Sequence, residues 1–173
     1  MRFKPVPEPP TDLETVADIQ AAVPSTAGPV DEARSEEGVD CCARVIRETS
    51  VGNRNDAGTW LTFLRALELV RVVDGEYGRT ERPVDPAVLR PAFRERVHGV
   101  DRVLDVLEES EVPLGTAAVV DRVGSNDGDG RRRPSAGVDP EERIERVLEW
   151  AVLFGIAERT RVDDELRWTA SDE

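Results

Sequence analysis

Lysine is nearly absent from this sequence: Lys4 is the only one, so arginine supplies almost all of the 23 basic residues. These are outnumbered by 36 aspartates and glutamates, which gives a net charge of −13. An acidic surface poor in lysine stays hydrated and self-repelling in molar salt, and is typical of salt-adapted proteins. The negative charge therefore indicates the solvent in which the protein works and does not exclude a nucleic-acid partner.

Long apolar segments are lacking as well. No run approaches the roughly 18 residues needed to span a bilayer, and the opening segment MRFKPVPEPP has no apolar core of a signal peptide. We therefore expect a cytoplasmic protein with no membrane partner. At 173 residues, 39% of them hydrophobic, the chain can form one average domain or two small ones with packed cores.

Cysteine and histidine are too scarce for a disulfide framework or a zinc centre. Cys41 and Cys42 are adjacent, which would strain a mutual disulfide, so we expect reduced thiols, with Cys42 on an apolar helix face. His98 is the only histidine, and a Cys/His zinc site would therefore lack a usual fourth ligand. The stretch Asp127–Gly130 begins like a calcium loop, but the pattern fails at Arg131. We expect no metal and no cofactor.

Recognisable catalytic arrangements are missing too. A Ser-His-Asp or Cys-His arrangement would have to use His98, which follows the helix at Phe93–Val97 and precedes Gly99, so a helix-end role is the simpler interpretation. Carboxylates are so numerous that no acid/base pair stands out, and there is no Gly-Lys-Ser/Thr phosphate loop. We expect that the protein is not an enzyme.

What the sequence does contain is a repeat of one apolar helix followed by one hairpin. Val72, in the first hairpin, aligns with Ile156, in the second, at an offset of 84, whereas Thr80 aligns with Thr169 at an offset of 89. The difference of five residues predicts a longer tip in the second hairpin. Gly155 is placed to end the second helix in a left-handed turn.

Apolar residues spaced three and four apart predict amphipathic helices upstream of both hairpins. The predicted apolar faces consist of Val16, Ile19 and Val23; of Val39, Cys42, Ala43 and Ile46; of Ala57, Trp60, Leu61 and Leu64; and of Val100, Val103, Leu104 and Leu107. A shorter helix would hold Ala118, Val119, Val120 and Val123.

Polar residues mark where several of these helices begin. Asn53 or Asn55 would cap the helix before the first hairpin, and Thr116 would cap the short helix. Asp85-Pro86 and Asp139-Pro140 are helix openings, because proline at the first helical position loses no hydrogen bond.

Breaks in the apolar pattern divide the chain. Residues 124–138 are dense in glycine and charge and almost free of apolar side chains, so we expect a mobile loop there. Arg82-Pro83-Val84 is the expected junction between a first module at 11–83 and a second at 84–170. Residues 1–10 and 171–173 are expected to be flexible ends.

Helices followed by a two-stranded hairpin, occurring twice, resemble the winged-helix family. Phrases such as Thr15–Ile19 and Leu69–Val73 are similar to those of winged-helix regulators, and the whole chain resembles a haloarchaeal group of proteins. The resemblance implies a mainly α protein with small β-hairpins (α+β), built as two tandem winged-helix-like modules. In such a module the third helix enters a major groove and the hairpin touches the DNA backbone. The loop at 124–138 departs from the tight turn of that motif.

The resemblance makes double-stranded DNA one expected partner. Arginine and asparagine can bind base edges, and the hairpin would offer arginines to phosphates; the other interpretation is that these are ordinary solvated positions. From residue 53 to 82, five arginines balance five carboxylates, so this segment is neutral within an acidic protein. The candidate DNA-binding residues are Arg54, Asn55, Thr59, Thr62 and Arg65 on the helix, Arg71 and Arg79 on the hairpin, and Arg131, Arg132 and Arg133 as a loop that could touch phosphates.

The second module favours a different partner. Its last helix and hairpin carry many carboxylates, which would repel phosphates, and high salt weakens phosphate contacts further. Two functions therefore stay open: a DNA-binding transcriptional regulator that uses module 1, and a protein–protein interaction adaptor without direct DNA binding. A homodimer is compatible with either. The acidic residues are Glu141, Glu142, Glu145, Glu149, Glu158, Asp163, Asp164 and Glu165.

Overall fold

The structure, a computed structural model, describes residues 5–24, 41–73, 76–126 and 139–172, with the backbone alone at 41–43 and 126. Contacts divide the chain into two compact units, Met1–Val97 (unit 1) and His98–Glu173 (unit 2). The described residues are mainly helical, with one small antiparallel sheet in each unit. The predicted α+β class is confirmed. None of the helices in the described ranges could cross a membrane.

Unit 1 contains four described helices and one hairpin. Asn53 caps the third helix by accepting from the Asp56 N–H at 2.9 Å, and Asp85 caps the fourth by accepting from the Ala87 N–H at 2.8 Å, so both predicted starts are confirmed. In chain order the elements are α1 (Leu13–Ala22), α2 (Cys41–Glu48), α3 (Arg54–Ala66), β1 (Val70–Val73), β2 (Glu76–Arg79) and α4 (Pro86–Arg96).

The core of unit 1 forms around α3. The predicted apolar faces of α1 and α3 are buried, and the Phe63 ring of α3 meets the Phe93 ring of α4 edge to face, with centroids 6.4 Å apart. α4 therefore belongs to unit 1 by its contacts. The predicted junction at residues 82–84 places α4 in the second module instead, and this division into sequence modules stays a prediction. Val39 and the side chains of Cys41, Cys42 and Ala43 lie outside what the structure describes.

Unit 2 contains three described helices and a three-stranded sheet. The elements are α5 (Val100–Glu108), β3 (Leu114–Gly115), α6 (Thr116–Asn126), α7 (Pro140–Leu153), β4 (Ala157–Val162) and β5 (Glu165–Ala170), and the sheet order is β3-β5-β4. Strand β3 was not expected, since two residues carry no readable alternation. It pairs Leu114 with Trp168, which is fully buried.

Two expectations about unit 2 need correction. Thr116 is the first residue of α6 rather than its cap, and its hydroxyl accepts a hydrogen bond from Trp168 Nε1 at 3.1 Å. Residues 124–126, predicted as the start of a loop, continue α6, where the Ser125 hydroxyl donates to the Asp121 carbonyl at 2.7 Å. Residues 127–138 lie outside the described residues.

The N-terminal segment predicted to be flexible contains a buried side chain: Val6, within the described residues 5–10, is 6% exposed.

The two units repeat one joint between helix and hairpin. Glu68 and Gly155 both have left-handed backbones, with φ of 62° and 68°. In each unit the N–H of the following residue donates a hydrogen bond of 2.9 Å to the carbonyl five residues earlier. Leu69 donates to Leu64, and Ile156 donates to Ala151. The structural offset is therefore 87, and the sequence alignment at 84 is wrong. That alignment was based on the positions of apolar residues alone, and a glutamate at position 68 does not indicate the left-handed end of a helix.

The hairpins differ in strand length and not at the tip. Val73 pairs with Glu76 and Val162 with Glu165, so each turn has two residues. Each strand of the second hairpin is two residues longer, because β4 and β5 have six residues and β1 and β2 have four. The predicted longer tip is wrong. Positive φ at both Asp163 and Asp164 makes the second turn as tight as the Asp-Gly type.

Candidate nucleic-acid interface

One face of α3 is polar and reaches the surface of unit 1. At ~100° per residue its six positions fall within about 140° of the helix circumference. The first two are exposed and the other four half-buried. The core-forming residues of α3 are Ala57, Trp60, Leu61, Phe63, Leu64 and Ala66. The structure thus brings all five predicted helix residues onto one face and adds a glycine. These six residues, hereafter the α3 stripe, are Arg54, Asn55, Gly58, Thr59, Thr62 and Arg65.

The α3 stripe carries arginine at both ends and no carboxylate. Asp56, the neighbouring acid, lies outside the stripe and accepts a hydrogen bond from Asn53 Nδ2 at 2.7 Å. Both threonine hydroxyls donate to the preceding turn of the helix, from Thr59 to the Asn55 carbonyl at 3.1 Å and from Thr62 to the Gly58 carbonyl at 2.9 Å. The middle of the stripe is therefore uncharged, with its hydroxyl protons already engaged.

The two predicted hairpin arginines have different surroundings. Arg71, on β1, is exposed and pairs across the hairpin with Gly78. Arg79 is half-buried and joins β2 to α1, because its N–H donates to the Pro24 carbonyl at 2.7 Å and Nη1 donates to the Ala21 carbonyl at 3.3 Å. Arg79 therefore has a structural role that the sequence did not reveal, and Arg71 is the more exposed of the two.

A buried glutamine on α1 binds the backbone on both sides of the unit 1 hairpin. Gln20, 9% exposed on α1, donates from Nε2 to the carbonyls of Leu69 and Arg82, each at 3.1 Å. The Thr80 hydroxyl lies within hydrogen-bonding distance of the Leu69 carbonyl at 3.0 Å and of the Glu68 carbonyl at 2.8 Å. The strand ends on both sides of the hairpin are thereby tied to α1.

The Glu68 carboxylate adds a second tie at the same joint. It pairs with Arg82 Nη2 at 2.5 Å and with Arg96 Nη1 at 2.7 Å, so it connects the end of α3 to α4. All three side chains are partly exposed, and such pairs contribute little stability in water. Their effect here is to give Arg82 and Arg96 a partner within unit 1.

The equivalent face of α7 has the opposite charge. An offset of 87 maps the α3 stripe onto six residues of α7, hereafter the α7 stripe: Glu141, Glu142, Glu145, Arg146, Glu149 and Val152. The exposure pattern is similar: the first two positions are exposed and the last three half-buried on both helices, and only Glu145, exposed where Gly58 is half-buried, differs. Four glutamates and one arginine therefore occupy the surface where α3 has two arginines and no acid.

Ion pairs and burial occupy the arginines around the α7 stripe. Arg146 Nη2 binds Glu142 at 2.6 Å, and Arg159 Nη1, on the second hairpin, binds both carboxylate oxygens of Glu149 at 2.7 and 3.0 Å. Burial lowers the pKa of Arg143, whose Nη2 donates to the His98 carbonyl at 2.7 Å. All three arginines therefore have a partner within unit 2.

Other predicted features contribute no site within the described residues. Arg131, Arg132 and Arg133 lie outside them. In the described part of the chain, no group of three or more His, Cys, Asp or Glu side chains could hold a metal ion. His98 is exposed just beyond the end of α4. The hairpin ends each expose one valine at the equivalent position before the turn: Val73 is 49% exposed and Val162 is 40% exposed.

Sequence reasoning missed Gln20 and Gly58. Gly58 could have been noticed, because glycine inside a helix is unfavourable and calls for an explanation. Gln20 carried no comparable signal, since one polar residue between apolar ones is ordinary on an amphipathic helix. Only the packing of α1 against the hairpin shows that it is buried.

Comparison with known proteins bears on the doubled arrangement of helices and hairpin. Neither the curated proteins nor the solved structures provide a match to the chain. A family model does match, and it covers residues 1–171, which include both units almost entirely. The chain therefore belongs to the family described as the halobacterial double winged helix domain.

Proposed function

We propose that the protein is a DNA-binding transcriptional regulator that contacts double-stranded DNA through unit 1. Winged-helix domains are typically non-enzymatic modules that bind DNA. The observation that supports unit 1 as the reader is the α3 stripe, on which arginines flank an uncharged centre and no carboxylate is present. A helix face of this kind can enter the major groove without repelling phosphates.

The proposed contacts follow from the surroundings of each side chain. Arg54 and Arg65 lie one at each end of the stripe, and Asn55 is exposed beside Arg54. Both arginines also interact within the protein, so DNA binding would replace some of those interactions. Arg71 would meet the DNA backbone from the hairpin. Arg79 would act indirectly, by holding the hairpin against α1.

High salt concentration opposes DNA binding of the proposed kind. Phosphate contacts weaken steeply as counterions compete, and a salt-adapted protein works where that competition is strongest. Binding must then depend on base edges and apolar contacts more than on charge. The uncharged centre of the α3 stripe suits such contacts, whereas a purely basic patch would not.

The test is titration of labelled random-sequence duplex DNA across a potassium chloride series, with circular dichroism at each salt to confirm the fold. We expect binding that weakens with salt and falls by about tenfold for Arg54→Ala and for Arg65→Ala. Arg161→Ala, an exposed arginine on the second hairpin, is the matched control and should leave binding unchanged. Absence of binding at every salt at which the protein stays folded would remove general DNA affinity, and failure to enrich any sequence from the same random pool would refute the proposal.

A second candidate is a protein–protein interaction adaptor that uses unit 2. The observation that favours it is the α7 stripe, whose four glutamates suit a basic protein surface and repel phosphates. The same titration separates the two candidates, since an adaptor would leave DNA unbound. Light scattering in concentrated potassium chloride would show whether either function is carried out by a homodimer.

A further inference from the structure

The centre of the α3 stripe is a glycine that the fold of unit 1 does not require. Gly58 lies inside a 13-residue helix, where glycine is less favourable than alanine. A Cβ atom added at Gly58 would meet nothing within 4 Å. The missing side chain leaves room for a ligand to approach the backbone of α3 closely.

The threonines beside Gly58 present a restricted set of groups. Each hydroxyl donates to a carbonyl of its own helix, at 3.1 Å for Thr59 and 2.9 Å for Thr62. What each side chain can offer a ligand is therefore a methyl group and an oxygen that accepts. The exposed amide of Asn55, four residues before Thr59, both donates and accepts.

These groups match one type of base pair. In the major groove an A·T pair presents the thymine methyl and the adenine N6 amino donor, beside the N7 acceptor. Methyl groups pack against the thymine methyl, and an accepting oxygen can receive a hydrogen bond from the adenine N6 amino group. Asparagine can bind both N6 and N7 of adenine. A G·C pair has no methyl group, and these threonines cannot satisfy the two acceptors of its guanine. Its cytosine N4 amino group could donate to a threonine oxygen as adenine N6 does, so the thymine methyl is what distinguishes the two pairs.

Resting on the proposed function, we infer that Asn55, Gly58, Thr59 and Thr62 read A·T base pairs in the major groove. Gly58 lets α3 lie deep enough for the two threonines to contact thymine methyl groups. Contacts of this kind contain no ion pair, so they should persist in concentrated salt.

The first test compares three duplexes of equal length: alternating A·T, the same duplex with uracil in place of thymine, and alternating G·C. Uracil lacks only the methyl group of thymine. We expect wild-type affinity to fall about fourfold for each contacted methyl that is removed, and to be lowest for G·C. Equal affinity for the thymine and uracil duplexes would overturn the inference while leaving DNA binding by unit 1 intact. No binding to any duplex would overturn both.

Substitutions at the threonines separate the methyl group from the hydroxyl. Thr59→Ser with Thr62→Ser keeps the hydroxyls and removes the methyls, so this variant should bind thymine and uracil duplexes equally. Thr59→Val with Thr62→Val keeps methyl groups and should still distinguish the two duplexes. A serine variant that retains the wild-type preference for thymine would contradict the inference.

Gly58→Ala tests the close approach independently. The substitution should raise the Tm by a few degrees, because alanine favours the helix and has room, yet it should weaken binding to the A·T duplex at least tenfold. Gly124→Ala on α6 is the matched control, since an added Cβ there also meets nothing within 4 Å. It should leave DNA affinity unchanged. A stabilised Gly58→Ala protein with wild-type affinity would overturn the close approach.

Discussion

Unit 1 and unit 2 end their long helices in the same way and expose opposite charges on them. Glu68 and Gly155 adopt the same left-handed conformation, and the backbone hydrogen bonds that follow have the same spans and lengths. The α3 stripe nevertheless has arginine where the α7 stripe has glutamate or valine. The joint is made by main-chain groups, so the side chains on the outer face can differ without disturbing it.

The two units also stabilise that joint by different means. In unit 1 the polar side chains of Gln20 and Thr80 bind the carbonyls beside the hairpin. In unit 2 the fully buried Trp168 pairs with β3 and donates to Thr116. A third strand is therefore part of the unit 2 sheet, whereas β1 and β2 form a two-stranded sheet in unit 1. The backbone closes the hairpin equivalently in both units, since the Thr80 N–H donates to the Leu69 carbonyl at 3.0 Å and the Ser171 N–H donates to the Ile156 carbonyl at 2.8 Å.

The largest expected effect comes from giving α3 the charges of α7. Arg54→Glu with Asn55→Glu should weaken DNA binding at least about 100-fold, because base or phosphate contacts are lost and repulsion is added. Glutamate in the first turn of a helix is favourable, so the fold should be retained. Fluorescence anisotropy with labelled duplex measures the change.

The matched control for that exchange is Glu141→Gln on α7, the position equivalent to Arg54. It should leave DNA affinity within about twofold of wild type, since the α7 stripe is not expected to meet phosphates. Equal losses from both exchanges would show that the two stripes do not differ in function.

A smaller effect is expected at the joint of unit 1. Gln20→Ala should lower the free energy of unfolding by about 1–3 kcal/mol, because it removes a buried donor that binds two carbonyls. Urea unfolding at constant high salt provides the measurement. Asp18→Ala, an exposed position on the same helix, should change stability by less than about 0.5 kcal/mol. Equal effects of the two variants would refute a structural role for Gln20.

The smallest effects concern the left-handed residues. Gly155→Ala should lower the free energy of unfolding by about 1–2 kcal/mol, because a side chain is strained in this conformation. Glu68→Gly should change it by less than about 0.5 kcal/mol, since relief of that strain is offset by loss of the exposed pairs with Arg82 and Arg96. Urea unfolding in high salt compares the two. A large loss from Glu68→Gly would show that these ion pairs matter more than their exposure indicates.

Much of the helical framework could be predicted from residue spacing and capping chemistry. Asn53, Asp85 and Asp139 each cap a helix by accepting a backbone hydrogen bond, as their position before a helical pattern indicates. The repeat was found but misaligned, because nothing in the sequence marks Glu68 as the residue with a left-handed backbone. Strand β3 was missed because a two-residue strand exists only through its partner β5.

The candidate site was predictable in part for the same reason. The polar face of α3 followed from helical periodicity, and the structure places all five of its predicted residues together. The contacts of Arg79 with Ala21 and Pro24 could not be predicted, since they join residues more than fifty positions apart. Periodicity indicates which face of a helix a residue occupies, but it does not indicate which residues of other elements that face contacts.

The sequence by itself determined most of the helices, the capping residues Asn53, Asp85 and Asp139, the α+β class and the acidic, arginine-based composition, because each depends on residues close together in the chain. Only the tertiary structure decided that Gln20 is buried, that Arg79 joins β2 to α1, and that the α3 and α7 stripes are equivalent. These features depend on groups brought together by folding, and local patterns carry no information about such partners. Charge could be counted from the sequence, but the comparison of the two stripes required the shared helix end that aligns them.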